Sequence, residues 1–353
     1  MTVLDDRGAM LARDQGGMHR HLEGFPQQLH EALGIGRNAR LTVQAGGVRS
    51  VVVAGMGGSA IGAEIAAGHL AGTIGVPFMV VRNYDLPAFA GADTLVVAAS
   101  YSGNTEETLA AYGVAQTRGA RIVCITTGGE LGRLAVADGH DVVKIPGGLP
   151  PRAALGYSLV PLLVLLGRLG IAPDPEEDVA DAIVVSRESV ERYGLGVPSD
   201  ANPAKDLAVW FSEGIPVVYG TPRTAAVATR WCGQLEENAK VVAHRHELPE
   251  MDHNEIVGWS GERPLAGRAR VVFLHDADDH PRNELRAAVT RREVEAAGAA
   301  VRDALGFGRR GLGRLVSLVM LGDFASFYLA VLRGVEPTPV EPIIRLKKAL
   351  AEA

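Results

Sequence analysis

Aromatic residues make up only 5% of this 353-residue chain, cysteine occurs twice, and the 35 Lys and Arg are outnumbered by 41 Asp and Glu. The formal net charge of -6 leaves no basic stripe for a nucleic acid, so no nucleic-acid partner is expected. Cys124 and Cys232 lie in otherwise apolar or helical segments and cannot make a disulfide framework; buried thiols in a cytoplasmic chain are expected. Asp5, Asp6 and Arg7 stand where a signal peptide would carry its apolar core, and none is expected. Long uninterrupted apolar runs are missing too. The stretch 157–166 contains Pro161, and 315–332 contains Asp323, so both read as buried core helices and no membrane partner is expected.

Glycine is abundant, at 43 residues, and sits among Val-, Ala-, Ile- and Leu-rich runs in a chain that is 47% hydrophobic. That balance suits an α/β protein, and the length predicts two domains of roughly 150 residues each. Met18, Leu22, Phe25, Leu29 and Leu33 recur at spacings of three or four, which predicts a helical arm over 1–45. Strands are predicted at 50–55, 77–82, 94–99, 120–125 and 140–144, with helices at 59–71, 104–118 and 129–137 and a long apolar helix at about 153–169. This alternation predicts parallel βαβ units over 46–170. The Pro- and acid-rich stretch 172–178, a polar helix and 194–202 read as a connection over 171–202. The same grammar returns in 203–353: strands at 215–220, 270–275 and near 300–303, helices at 224–240, 282–297 and 311–333.

Two strand ends carry the chemistry. Val51-Val52-Val53-Ala54 breaks into Gly55-Met56-Gly57-Gly58-Ser59, and Val96-Val97-Ala98-Ala99 runs into Ser100-Tyr101-Ser102-Gly103-Asn104-Thr105, each just before a predicted helix. Such turns offer backbone N–H groups, hydroxyls and the positive end of a helix dipole to an anion. Together they look like a cradle for one phosphate. Gly55-x-Gly57-x-x-Ala60 also resembles a dinucleotide fingerprint, but the second strand ends in Arg82-Asn83-Tyr84, without the acidic residue that would hold a ribose, and the hydroxyl cluster is unexplained under that reading. Thr105 could equally be an ordinary N-cap.

Six separated elements resemble the bifunctional phosphoglucose/phosphomannose isomerases, built from sugar isomerase (SIS) domains. They are Gly57-Gly58-Ser59; Ser100-x-Ser102-Gly103-Asn104-Thr105-x-Glu107-Thr108; Pro150-Pro151-Arg152-Ala153-Ala154-x-Gly156-Tyr157; Gln234-Leu235-x-Glu237-Asn238-x-Lys240; His253-Asn254-Glu255; and Thr338-Pro339-Val340 followed by Leu346-Lys347. The resemblance implies two SIS-type, flavodoxin-like doubly wound parallel sheets in tandem. It also implies a homodimer that interconverts glucose 6-phosphate and mannose 6-phosphate with fructose 6-phosphate through a cis-enediolate, with no cofactor and no metal.

The implied roles follow residue by residue. Gly57, Gly58, Ser59, Ser100, Ser102 and Thr105 bind the phosphate. Glu237 moves the proton between C1 and C2, with a partly desolvated carboxylate; Glu236, where many relatives have Asn, is its rival. His253, contributed by the neighbouring subunit, handles the ring-opening proton, Lys347 assists it with Lys348 as the adjacent alternative, and Arg152 stabilises the enediolate charge. A salt bridge to the acidic stretch is the competing role for Arg152. Thr338 leaves room beside C2 for both epimers. His244, His246 and His253 with Glu247 and Glu250 also invite a zinc reading, although His-x-His in a loop is common. The alternatives in function are a non-catalytic sugar-phosphate-binding relative, an isomerase of another phosphosugar, and a glucosamine phosphate type enzyme, which would need a glutaminase domain with an N-terminal Cys or an ammonia route.

Overall fold

The computed structural model describes residues 2–261 and 263–352; Met1 and Ala353, the outer ends of the ranges read from the sequence, lie outside them. The chain divides into two compact units, each discontinuous in sequence. One comprises Gly24–Ser186 with Phe307–Val316, the other Met1–Glu23 with Arg187–Gly306 and Ser317–Ala353. They are called here the cradle unit and the carboxylate unit.

In the cradle unit, β1 (Ser50–Gly55), β2 (Phe78–Val81), β3 (Thr94–Ser100), β4 (Arg121–Thr126) and β5 (Asp141–Lys144) form one parallel sheet in the order β2-β1-β3-β4-β5. Val52 pairs with Val96, and Val96 with Ile122. β1 and β3 are buried along their whole length, which explains why their sequences are apolar without alternation. One face packs Val52, Val96, Ile122 and Cys124 against Ala111, Tyr112 and Leu131. The helix Leu155–Arg168 runs through Pro161 without ending there, and residues 155–166 are all buried. Burial on that scale, at about 1.5–3 kcal/mol for each large apolar side chain, outweighs the ~3 kcal/mol an internal proline costs.

In the carboxylate unit, β6 (Ile215–Gly220), β7 (His244–Glu247), β8 (Ala269–His275) and β9 (Ala300–Leu305) form a second parallel sheet in the order β7-β6-β8-β9. Its core gathers Val217, Tyr219, Val271, Phe273, Leu248 and Met251. Here the sequence reading needs correction: His244–Glu247, read as loop, is a strand. It lies at the sheet edge, pairs its backbone with 217–220 and keeps its four polar side chains largely out of the core, so no apolar run announces it. The predicted arm is likewise several pieces rather than one, with helices Arg7–Arg13, Met18–Glu23 and Phe25–Asn38 and no regular element over 39–49.

Gly311–Arg333 is a 23-residue helix, long and apolar enough to cross a membrane by length and composition, and most of it is buried within the protein. Both cysteines are free and buried, and burial pushes each thiol up to about 12.

Candidate functional site

The strand order of the first sheet reverses direction between β1 and β3, and the carboxyl ends of such a pair flank the crevice where open α/β sheets take ligands. The two serine-bearing turns stand there. After β1 the helix Gly57–Leu70 begins at once, and its first amides, those of Gly57 and Gly58, have no acceptor in the helical ladder. Gly57 has φ 50°, and a Cβ on Gly58 would fall 2.5 Å from the Pro151 carbonyl oxygen. Glycine is therefore what lets this turn approach the segment bearing Arg152.

At the end of β3, the Ser100 Oγ accepts from the Gly103 amide at 3.1 Å and lies 2.8 Å from the Thr105 hydroxyl. Thr105 occupies the N-cap of the helix Glu106–Thr117, yet its side chain makes no capping bond; the hydroxyl turns to Ser100 instead. Ser59 Oγ accepts from the Tyr101 amide at 3.2 Å and so joins the two turns. Ser102 is exposed at the rim, its Oγ accepting from the Asn104 amide at 3.2 Å. The structure thus brings Ser59, Ser100, Ser102 and Thr105 to one end of two adjacent strands.

Two supporting residues went unassigned in the sequence reading. Asn104 Oδ1 accepts from the Glu130 amide at 2.9 Å, at the start of the helix Gly129–Ala137, and Tyr101 OH accepts from the Leu149 amide at 3.0 Å, just ahead of Arg152. Burial holds the Tyr101 phenol above its ordinary pKa. Both lie inside the quoted hydroxyl motif, but nothing in their residue types announced these partners.

Arg152 is buried in the short turn Pro151–Ala153. That turn is fixed by Gln28, which donates to the Ala153 carbonyl at 2.8 Å and accepts from the Gly156 amide at 2.6 Å. In the acidic stretch, Glu176 pairs with Arg37 and Glu177 with Arg310.

Glu237 belongs to the helix Ala225–Ala239, whose inner face is fixed at four points. Arg230 forks onto the Asp323 carboxylate, at 3.0 Å through Nε and 2.6 Å through Nη2. Trp231 Nε1 donates to the Leu318 carbonyl at 2.8 Å, and Asn238 donates to Ser326 Oγ at 2.9 Å. At the start of the helix, Thr224 Oγ1 donates to the Leu274 carbonyl at 3.0 Å. At about 100° per residue, Glu237 and Glu236 then fall at opposite margins of the buried arc. Glu237 is half-buried on the Arg230 side, whereas Glu236 lies on the Cys232 side. There it lines a cleft of about 630 Å³ with Cys232, His244, Arg245, His246 and Glu247. Glu236 is exposed as a residue yet partly desolvated, and this, with the like charge of Glu237, holds its carboxyl above the ordinary value.

His253 ends the short turn Glu250–His253 that follows β7, and its side chain is exposed. The turn around it is braced. Met251 is fully buried, Asp252 accepts from Arg286 at 3.0 Å and from Thr290 Oγ1 at 2.8 Å, and Glu255 meets both Tyr219 OH and, at 2.9 Å, His244 Nε2. Among the described residues, no three of the histidines, cysteines and carboxylates come together in a group that could hold a metal ion, and the His244 contact is an ion pair with Glu255.

Lys347 and Lys348 are exposed on the helix Glu341–Ala351. This helix turns Ile343, Ile344, Leu346 and Leu350 to the outside, each more than 40% exposed. On a helical projection Lys347 falls about 40° from Ile343 and about 60° from Ile344, inside the apolar stripe, while Lys348 lies at its margin, about 140° from Ile343. Lys347 therefore shares its face of the helix with Ile343 and Ile344. Thr338 precedes this helix and is half-buried against Gly16, where a Cβ would fall 2.3 Å from its Oγ1.

Residues 47–138 match the SIS domain family, and residues 200–350 match the bacterial phospho-glucose isomerase C-terminal SIS domain. The bifunctional phosphoglucose/phosphomannose isomerase of Caldicellulosiruptor bescii is 42% identical over 336 residues, 95% of this chain and 99% of that protein. The Aquifex aeolicus protein of the same name is 38% identical over 303 residues, 86% and 90% of the two chains. Among solved structures, a hypothetical protein of Thermus thermophilus superposes with a TM-score of 0.74 at 18% identity, covering 99% of this chain and 93% of its own, which is a likeness of fold alone. A relative matched end to end at this identity decides the family: this chain belongs to the bifunctional phosphoglucose/phosphomannose isomerases.

Proposed function

We propose that this protein interconverts glucose 6-phosphate and mannose 6-phosphate with fructose 6-phosphate. The observation that carries the reading is the 42% identity over 95% of the chain to a bifunctional isomerase, a match that takes in both the hydroxyl cradle and the helix of Glu237. The phosphate dianion is held by the hydroxyls of Ser59, Ser100, Ser102 and Thr105 with the amides of Gly57 and Gly58, and serves as a handle that orients the reacting carbons. His253 and Lys347 move the ring-opening proton. Glu237 then takes the proton from C2 and returns it to C1 through a cis-enediolate, whose charge the Arg152 guanidinium stabilises. A planar enediolate is reprotonated from either face of C2, so one carboxylate serves both epimers, with Thr338 leaving space for either.

This scheme needs no metal. Purified protein is expected to isomerise both aldose phosphates, measured by coupled assay, with the same rate before and after a chelator. Turnover of neither sugar overturns the reading, and a rate abolished by chelation overturns its metal-free form. We further propose a homodimer in which the exposed His253 serves the partner's site. Mixing inactive Glu237→Gln and His253→Ala proteins under subunit exchange is expected to restore activity; no restoration despite proven exchange places both groups in one chain.

A further inference from the structure

Lys240 is the one residue other than glycine with positive φ among those described, at φ 56° and ψ 44°. It closes the helix of Glu237, where a glycine would adopt the left-handed conformation without the strain that a side chain brings. Strain of this kind points to what the side chain does. An ammonium carries three donors, and here three carbonyls receive them: Glu237 at 2.6 Å, Pro339 at 2.8 Å and Pro337 at 3.1 Å. The two prolines bracket Thr338. The same segment is held from its other side by Glu336, whose carboxylate accepts from the amides of Gln15 at 2.8 Å and Gly16 at 3.2 Å. Lys240 therefore ties the backbone of Glu237 to both neighbours of Thr338.

We propose that Lys240 is a positioning residue that sets the spacing between the base and the residue that accommodates both epimers, and so governs the ratio of mannose 6-phosphate to glucose 6-phosphate turnover. The inference rests on the function proposed above. Glucose and mannose 6-phosphates differ only in the side on which C2 carries its hydroxyl, so the ratio reads the space beside C2. General destabilisation lowers both activities together and leaves the ratio alone.

Lys240→Gly removes the three bonds while fitting the left-handed backbone better than lysine does. In the full-length protein its kcat is expected to fall about tenfold, with the mannose-to-glucose ratio of kcat/KM moving by about threefold or more and the KM for fructose 6-phosphate staying within about twofold, because a displacement near 1 Å acts on the chemical step. A folded Lys240→Gly protein with the wild-type ratio overturns the proposal, whether or not its kcat has changed. If the glycine variant does not fold, by circular dichroism, Lys240→Met carries the same test with the same two outcomes. Wild-type protein inactive on both sugars overturns the function itself, and this role with it.

Discussion

In the cradle unit the hydroxyls proposed to bind phosphate hang from the ends of the two most buried strands, and three of them, Ser59, Ser100 and Thr105, are already tied to one another or to the facing turn. In the carboxylate unit the groups proposed to move protons sit at the ends of things: Glu237 in the last turn of a helix, His253 in an exposed turn after an edge strand, Lys347 on an exposed terminal helix. A doubly charged phosphate needs many donors fixed in advance, and a parallel sheet provides them because its strand ends cannot move singly. Groups that move protons need only one atom each in place. The two regions should therefore fail differently when altered, the carboxylate unit through kcat and the cradle through KM.

The largest effect is expected at Glu237. Glu237→Gln preserves shape and removes the proposed base, so both the glucose and the mannose activities are expected to drop by about 10²–10⁴-fold in kcat with phosphosugar binding kept. Glu236→Gln is the matched control, since it removes the same charge from the opposite margin of the helix. A dead Glu236→Gln beside an active Glu237→Gln moves the base into the cleft beside β7, and loss of only one sugar activity breaks the shared intermediate.

Lys347 sharpens the same comparison. Because it lies within the apolar stripe of the terminal helix and Lys348 does not, Lys347→Ala is expected to cost kcat about a hundredfold, the low end of the usual range for losing a proton-transfer group, and Lys348→Ala almost nothing. Equal rates in the two variants would remove the terminal helix from the chemistry.

The cradle should respond through binding. Ser102→Ala and Ser59→Ala are each expected to raise KM, a charge-assisted hydrogen bond being worth about 1.5–3 kcal/mol. They part over stability. Ser102 is exposed, and its variant should stay within about 0.5 kcal/mol of wild type. Ser59 is buried and receives the Tyr101 amide, so its removal leaves that N–H without its acceptor, at a cost of about 1–3 kcal/mol. Denaturation of the two variants beside their KM values separates the roles; unchanged KM in both empties the cradle of its function.

The regions also differ in how far they could be read from residues alone. The cradle was legible because Val51–Val53 and Val96–Ala99 are buried strands that stop abruptly at small and hydroxylated residues, a change of composition that marks both element and site. β7 carried no such mark, since an edge strand of His, Arg, His and Glu is held by backbone pairing rather than by apolar side chains. The motif Gln234-Leu235-x-Glu237-Asn238-x-Lys240 was legible, but the partners of Lys240 were not, since two of the three, Pro337 and Pro339, lie almost a hundred residues away. Tyr101 was hidden for the same reason, because its hydroxyl finds Leu149 only once the sheet has formed.

The smallest effect expected lies at the edge strand that the sequence concealed. His244 is raised from its ordinary 6.5 chiefly by the hydrogen bond to Glu255, and Glu255 is lowered from 4.5 because His244 and Tyr219 outweigh the desolvation of its partly buried carboxyl. A raised histidine adds stability that is complete below 6.5 and is lost as pH climbs through the folded value; a lowered glutamate adds stability that is complete above 4.5 and is lost as pH falls through its folded value. Both contributions are whole only between 4.5 and 6.5. His244 is more than half exposed, so solvent screening keeps the pair within the ~0.2–1 kcal/mol of surface ion pairs. Arg245 opposes protonation of His244, and His246 adds to the lowering of Glu255, which leaves the window where the pair itself puts it. The melting temperature of His244→Gln should accordingly fall below wild type by a small margin near pH 5.5, and the margin should close toward pH 9. A difference that stays constant across that range would mean that packing at β7, and not the ion pair, is what the histidine contributes.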